Sequence, residues 1–414
     1  MTSSGDCIVI GAGVIGLCTA LYLQEKGRTV SVIDRLPPGE GTSSGNAGII
    51  SAGAAQPEAM PGIWKDMPGM VLGRLAPVSL RTTYLPRFLP WLRRFIASSS
   101  PRRAEASSIA IRGLSRHARA FLEPLAARAG AGTLLKQEGL LYIYEEEDEF
   151  CRAKQNCAFY KRRGVDHRII EGRELTDLEP ALRPGLAGGV LIPEAAHTLS
   201  PLALSRALFD LFQRQGGGFH QEEVSGFQTS GGRVTAVQAS QQFNCSEVFV
   251  TAGAWSHLLA RQLGSDVPLD TERGYHQELP DPGLELKQPL LFARRAFCAT
   301  SMQDGLRLAG TVEFAGLAAA PDYRRARVLA EHARELFPRV NTSGGESWMG
   351  YRPSLPDSVP VVSRSPHFAN VYYGFGHGHL GLTLSGVTGA TLAALATDGE
   401  APVDTSLYRI DRRF

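Results

Sequence analysis

The chain is poor in the features that mark several functional classes. It has only six cysteines in 414 residues, scattered with no CxxC pair and no histidine at metal-ligand spacing. A disulfide scaffold is excluded by the chain's size, so the cysteines are expected to be reduced thiols in a cytoplasmic protein. No excess of one charge exists: the formal net charge is +2, which gives no general case for nucleic-acid binding. A basic leader is missing as well. Residues 7–23 are uncharged, but Asp6 precedes them and Gly11, Gly13 and Gly16 interrupt them, which argues against a signal peptide. The longest uncharged run, residues 365–397, is too rich in Gly, His and Asn to read as a membrane span. No internal repeat or low-complexity tract is visible. Acidic residues are absent from 67–104, where Arg74, Arg81, Arg87, Arg93, Arg94, Arg102 and Arg103 all fall. The stretch "RFLPWLRRFI" within it reads as a helix with a solvated basic face; its sharper reading is peripheral contact with an anionic inner membrane.

What is present begins with "DCIVIGAGVIGLCTALYLQEKGRTVSVIDR". It reads as a strand over 7–10, a GxGxxG turn, a helix over 14–25 stopped by Gly27, and a strand over 30–33 ending in Asp34. Gly11 permits the turn, Gly13 lets a pyrophosphate approach the backbone, and Gly16 lets helix pack on strand. The helix N-terminus offers free N–H groups and about half a positive charge to phosphates. Asp34 is placed to accept from ribose hydroxyls.

The segment "RLPPGEGTSSGNAGII" is small and polar. It reads as a second loop along the dinucleotide, with Thr42, Ser43, Ser44, Asn46, Ala47, Gly48 and Ile49 as contacts. Its GxSxG match at Gly41, Ser43 and Gly45 resembles a hydrolase nucleophile elbow, but Pro37, Pro38 and Gly39 stand where that elbow needs a strand. Further on, 109–129 reads as a long helix kinked near Pro124, 140–144 as a strand, and "EEEDEF" as the start of a helix reaching Arg163. A helix is expected over 201–215, and strands at 222–226 and 234–239 are expected in the nucleotide domain, with Val224 against the adenine. "EVFVTAGAW" supplies a strand over 247–250 and a tight turn that places Ala252, Gly253 and Trp255 beside the dinucleotide. His197, before a helix, reads as a structural hydrogen-bonder. "TERGYHQEL" offers Arg273, Tyr275 and His276 at the mouth of a presumed substrate sheet.

Taken in order, GxGxxG with Asp34, "TSSGNAG", "VTAGAW", "GYRPSLPD" and "GHGHLGLT" resemble the flavin-dependent D-amino-acid oxidase and dehydrogenase family over nearly the whole chain. The bacterial D-amino-acid dehydrogenases, including those for D-proline and hydroxy-D-proline, are the nearest in pattern. The resemblance implies an α/β fold with an α+β substrate domain: a Rossmann-type FAD domain (1–50, 165–262, 344–414) interleaved with a substrate domain on a mostly antiparallel sheet (51–164, 263–343). It implies that Gly378, His379, Leu380, Gly381, Leu382 and Thr383 return beside the flavin, joining Gly11, Gly13, Val14, Ile15, Gly16, Asp34 and Arg35. It implies that Arg352 clamps a substrate carboxylate with its rigid fork, and that hydride passes from Cα to flavin N5, leaving an imino acid. His377, His379, His276 and Tyr275 are candidates to assist loss of the ammonium proton. No cysteine or histidine stands in the early loop or beside Arg352, so noncovalent FAD is expected. A quinone or another non-oxygen carrier is the expected electron acceptor. A glycine or sarcosine oxidase, and a flavin subunit of a multichain dehydrogenase, remain alternatives.

Overall fold

A computed structural model describes residues 6–65, 69 and 77–414. Two large sheets organise it, and the strands of each come from separated parts of the chain. The first has six strands in the order Gly218–Gln221, Val30–Asp34, Cys7–Ile10, Glu247–Val250, Val371–Phe375, Val361–Arg364. All neighbours are parallel except the last pair. Cys7–Ile10, Glu247–Val250 and Val371–Phe375 are buried at every position. Their apolar runs are what a strand covered on both faces requires.

The helices Val14–Glu25 and Gly381–Ala396 lie against each other beside this sheet. They approach so closely that a Cβ on Gly389 would sit 2.7 Å from the backbone of Cys18 and Thr19. One on Gly386 would sit 2.5 Å from the backbone of Phe121. Small residues in the last helix therefore bring three helix backbones together. The segment Gly378–Ala396 is the one helix among the described residues long and apolar enough to cross a membrane, and 78% of its most apolar stretch is buried inside the fold.

The second sheet has nine strands and is mostly antiparallel. Its long strands Glu346–Ser354, Asp270–Leu279 and Gly305–Phe314 lie side by side, followed by Phe297–Met302, Leu290–Phe292, Leu140–Tyr144, Gly188–Ile192 and Arg168–Glu171, while the short Val78–Leu80 pairs with Gly305–Phe314 off this path. The first two pair in a register that sets Glu272 opposite Arg352, Gly274 opposite Gly350 and His276 opposite Trp348.

Several boundaries differ from the sequence expectation. Arg168–Glu171, Gly188–Ile192 and Glu346–Ser354 were expected in the nucleotide half but hydrogen-bond into the nine-stranded sheet. Helices Pro101–Ser115 and Ala118–Arg128 were expected with the substrate half. Their Ile111, Leu114, Leu122 and Leu125 instead share a core with Leu17 and Val387. The helix break falls at Arg116–His117, where capping bonds to Arg112 and Leu114 close the first helix, and Pro124 is accommodated inside the second. Residues 222–225 are loop. Arg233–Gln238 joins a three-stranded antiparallel meander with Gly226–Ser230 and Gln242–Asn244 rather than the parallel sheet.

The basic segment is helical over Leu85–Ser98. Phe88 and Trp91 are buried against Phe314, with ring centroids 4.3 and 5.5 Å away, while Arg87, Arg93 and Arg94 are exposed. Met67 and Arg74, at the start of the expected acid-free stretch, lie outside the described residues.

The helix contact gives a direct test of the packing. Gly389→Val must push the two helices apart, so it is expected to lower stability by about 1–3 kcal/mol, an ordinary overpacking cost. Thermal or urea unfolding measures it.

Candidate active site

A cavity of about 840 Å³ runs from the glycine turn of the first sheet to the face of the second. At one end the turn is built by necessity. Gly11 has φ of +111°, and a Cβ there would lie 2.5 Å from the Thr251 carbonyl oxygen. The helix Val14–Glu25 then points its N-terminus into the cavity with no acidic residue in its first turn. The Val14 amide donates to Ser43 Oγ at 3.1 Å, which ties the second loop to the helix end. Asp34 accepts from the amides of Ala12 at 2.7 Å and Leu36 at 2.9 Å. Burial nevertheless raises its carboxyl above the ordinary range, the two amides only partly offsetting it.

Of the residues expected to hold the dinucleotide, Gly11, Gly13, Val14, Ile15, Asp34, Arg35, Thr42, Ser43, Asn46, Ala47 and Ile49 line this cavity. So do Val224, Ala252, Gly253, Trp255 and all six of Gly378 to Thr383. Gly16, Ser44 and Gly48 stand behind the wall. Gly16 is packed on Gly11 and Thr251, and the Ser44 carbonyl accepts from Arg307 at 3.0 Å. The Arg35 guanidinium lies 4.0 Å from the Trp255 ring centre. Thr383 does not aim a free hydroxyl at the cavity: its Oγ1 accepts from the Ser51 amide at 3.0 Å and donates to the Ile49 carbonyl at 3.3 Å.

The loop over 42–48 is held from the substrate side, by residues the sequence reading did not single out. Arg307 donates to the carbonyls of Ser44 and Asn46, at 3.0 and 2.7 Å, while its Nε donates to Glu278 at 2.5 Å. The Trp348 ring packs under Gly45, where a Cβ would come within 2.3 Å of it. His276 stacks on Trp348 with centroids 4.9 Å apart, and its Nδ1 is 3.0 Å from the Gly45 carbonyl. Burial, with the Arg307 charge second, holds His276 down to about 3. Its observed contacts make it a prop for the loop.

The other proton-handling candidates separate in the same way. His377 is buried, its Nε2 2.9 Å from Thr388 Oγ1, and burial lowers it to about 3. The Tyr275 hydroxyl donates to Glu313 at 2.5 Å and accepts from the Asp322 amide at 3.0 Å. Burial, then that Glu313 hydrogen bond, pushes it up to about 12. Glu313 also pairs with the fully buried Arg273 at 3.1 Å, so Tyr275 belongs to a structural cluster on the sheet face opposite His276. Tyr275, His377 and His379 all line the cavity and His276 does not; of the three only His379 is exposed, with Nδ1 2.8 Å from Glu58 Oε1. His197 is buried, and burial lowers it to about 4.

Arg352 lies on the cavity face of Glu346–Ser354. Its guanidinium donates to the Thr311 carbonyl at 3.2 Å and reaches the Gly310 carbonyl at 3.5 Å. Among the described residues it forms no ion pair. It rests over Gly274, where a Cβ would lie 2.3 Å from the guanidinium carbon. Glycine at 274 is thus what lets the fork lie flat on the sheet. Tyr142, Tyr160, Leu140, Leu291 and Cys298 complete this end. The Tyr142 and Tyr160 hydroxyls have no hydrogen-bond partner among the described residues. Both positions escaped the sequence reading, since neither lies in a glycine-rich motif.

The geometry thus offers a helix N-terminus with a glycine turn, a carboxylate at the ribose position, an apolar wall including Ile10, Ile33 and Val224, and a second helix end at Gly381. These features fit a dinucleotide lying across the first sheet with its far end facing Arg352. Comparison with known proteins agrees. The FAD dependent oxidoreductase family model matches residues 6–395. The chain belongs to that family.

Among curated relatives, a D-amino-acid oxidase of Bradyrhizobium diazoefficiens is 33% identical over 402 residues, covering 95% of each chain. A D-amino acid dehydrogenase of Vibrio cholerae is 28% identical over 407 residues, covering 96% of each. In fold, the chain superimposes on glycine oxidase from Geobacillus kaustophilus with TM-score 0.76 at 20% identity, over 99% of both chains. It superimposes on L-proline dehydrogenase from P. horikoshii with TM-score 0.75 at 16% identity, over 99% of this chain and 98% of that one. The α/β architecture and dependence on FAD follow from these matches.

Two substitutions probe the site. Arg307→Ala frees the 42–48 loop and leaves Glu278 without its cation, so FAD affinity is expected to fall by about 1.5–3 kcal/mol, measured by titrating apoprotein with FAD. Gly274→Ala displaces only the end of a flexible side chain. It should leave the melting temperature nearly unchanged while weakening acetate binding to the FAD-loaded protein by about 1.5–3 kcal/mol, followed by flavin absorbance.

Proposed function

We propose that this family member oxidises a D-amino acid at the Cα–N bond, with a small or cyclic substrate such as D-proline or hydroxy-D-proline as the finer reading. The observation that carries it is Arg352: a guanidinium on a cavity wall, without an ion-pair partner among the described residues and laid flat over Gly274. A fork held this way suits a carboxylate accepting two parallel hydrogen bonds. Names of the curated relatives support the D-amino-acid class.

Bound FAD supplies a two-electron acceptor for the hydride of Cα. The chain supplies position. Arg352, laid flat over Gly274, fixes the carboxylate, and Tyr142, Tyr160, Leu140 and Leu291 face the side chain. Holding the reacting carbon in one place removes much of the entropic barrier. The turn at Gly378–Leu380 and the helix Gly381–Ala396 would hold the far end of the cofactor. The first turn of that helix carries no acidic residue, so its N-terminus favours negative charge developing there.

For the electrons, our reading is a quinone or another non-oxygen carrier. The exposed face of Leu85–Ser98, with Arg87, Arg93 and Arg94 beside the exposed Leu85, Leu89 and Ile96, supports a peripheral contact with anionic lipid.

Anaerobic mixing of the FAD-loaded protein with a panel of D-amino acids tests the substrate class. Bleaching by D-amino acids is expected; bleaching by glycine, sarcosine or L-amino acids alone contradicts it. Arg352→Ala should lower kcat/KM by about 2–5 kcal/mol, the cost of removing one partner of a buried charge pair. An unchanged kcat/KM removes Arg352 from the mechanism.

A further inference from the structure

We propose that Glu58 is the group that receives the ammonium proton of the bound amino acid, a role resting on the D-amino-acid reading above. An amino acid arrives as a zwitterion, and hydride can leave Cα only after the nitrogen has regained its lone pair. Arg352 answers the carboxylate but would repel the ammonium, so the same cavity needs an anion. Glu58 is that anion: it lines the cavity with Arg352 and His379.

Three contacts fix it there. Its amide donates to Ser358 Oγ at 3.0 Å, and its Oε1 meets His379 Nδ1 at 2.8 Å. The third partner is Glu272, buried directly across the strand pair from Arg352 and held by the Ser354 hydroxyl, which donates at 2.6 Å. The titratable and charged groups facing Glu58 are therefore His379, Glu272 and Arg352. Burial pushes the Glu58 carboxyl up, but the His379 hydrogen bond, the Glu272 hydrogen bond and the Arg352 charge outweigh it and leave it below the ordinary range. Glu272 moves the other way, up to about 8, first through burial and then through the Glu58 charge. Of two neighbouring carboxyls, the one with the raised pKa, Glu272, is the one that keeps a proton, and Glu58 stays ionised.

In the step itself the substrate N–H bond breaks, its electron pair stays on nitrogen, and an O–H bond forms on Glu58. The Glu58 side chain is 35% exposed, so the proton leaves to water from there. Hydride transfer follows from the neutral amine. His379 and Glu272 position the carboxylate and do not touch the substrate.

The test is the pH profile of anaerobic flavin reduction in Glu58→Gln, with melting temperature and FAD content as controls. The wild-type rate should fall only on the acid side, as Glu58 becomes protonated. Glu58→Gln should be about 10²-fold slower at pH 7, the usual worth of a positioned base, and should recover at alkaline pH, where the free amine itself is abundant. Glu58→Asp, which keeps a carboxylate, should keep the wild-type shape at a lower rate. A second readout needs no turnover. 2-Aminoisobutyrate has no Cα–H and isobutyrate lacks only its amine, so the wild-type preference for the former, read from flavin absorbance, should vanish in Glu58→Gln.

An unchanged profile, or slowing by one factor at every pH, would overturn the assignment. So would a loss confined to D-arginine and D-lysine, which would make Glu58 a partner for basic side chains. Failure of every D-amino acid to bleach the wild type would overturn the substrate class itself, a result separable from any property of Glu58.

Discussion

The arrangement depends on how closely the last helix approaches the first. Gly389 and Gly386 let the helix Gly381–Ala396 lie backbone to backbone against Val14–Glu25 and Ala118–Arg128. That contact brings two helix N-termini to one cavity, from segments more than 350 residues apart in the chain. Each N-terminus carries a partial positive charge and unpaired amides. At the glycine turn this suits a phosphate, and at the other end the same physics suits a ring that gains negative charge. In our proposal, one packing contact would support both ends of the cofactor.

The second sheet contributes more than a substrate wall. Through Arg307, His276 and Trp348 it holds the 42–48 loop, which in turn is fastened to the first helix by Ser43. The cofactor cradle is consequently closed by residues from both halves, and the guanidinium of Arg352 sits on the same strand face as Trp348. The same sheet thus holds the 42–48 loop and presents Arg352 to the cavity.

The local part of this was legible in the sequence. The strand Cys7–Ile10, the helix Val14–Glu25 and the strand ending at Asp34 fall where the glycines and apolar runs place them. Arg352 was singled out through its motif, and it lies on the cavity wall. What escaped was long-range. Gly274 matters because a guanidinium 78 positions later rests on it, and Arg307 matters because of carbonyls at 44 and 46; neither leaves a local signal. Tyr275 and His276 show the limit most clearly. Alternation along the strand says they face opposite ways, but nothing in the sequence says which parity shares a face with Arg352. The pairing puts Glu272, Gly274 and His276 on the side of Arg352, and sends Tyr275 to Glu313. Glu58 was hidden for the same reason, since its partners His379 and Glu272 are distant in sequence.

The central claim is that one cavity orders FAD and a substrate carboxylate between the two sheets, with Arg352 as the anchor. A crystal structure of the FAD-loaded protein soaked with 2-aminoisobutyrate tests it most directly. The account predicts the flavin ring between the turn at Gly378–Leu380 and the 42–48 loop, with the ligand carboxylate hydrogen-bonded to both terminal nitrogens of Arg352. A ligand bound with its carboxylate turned away from Arg352, or a flavin lying outside this cavity, would contradict it.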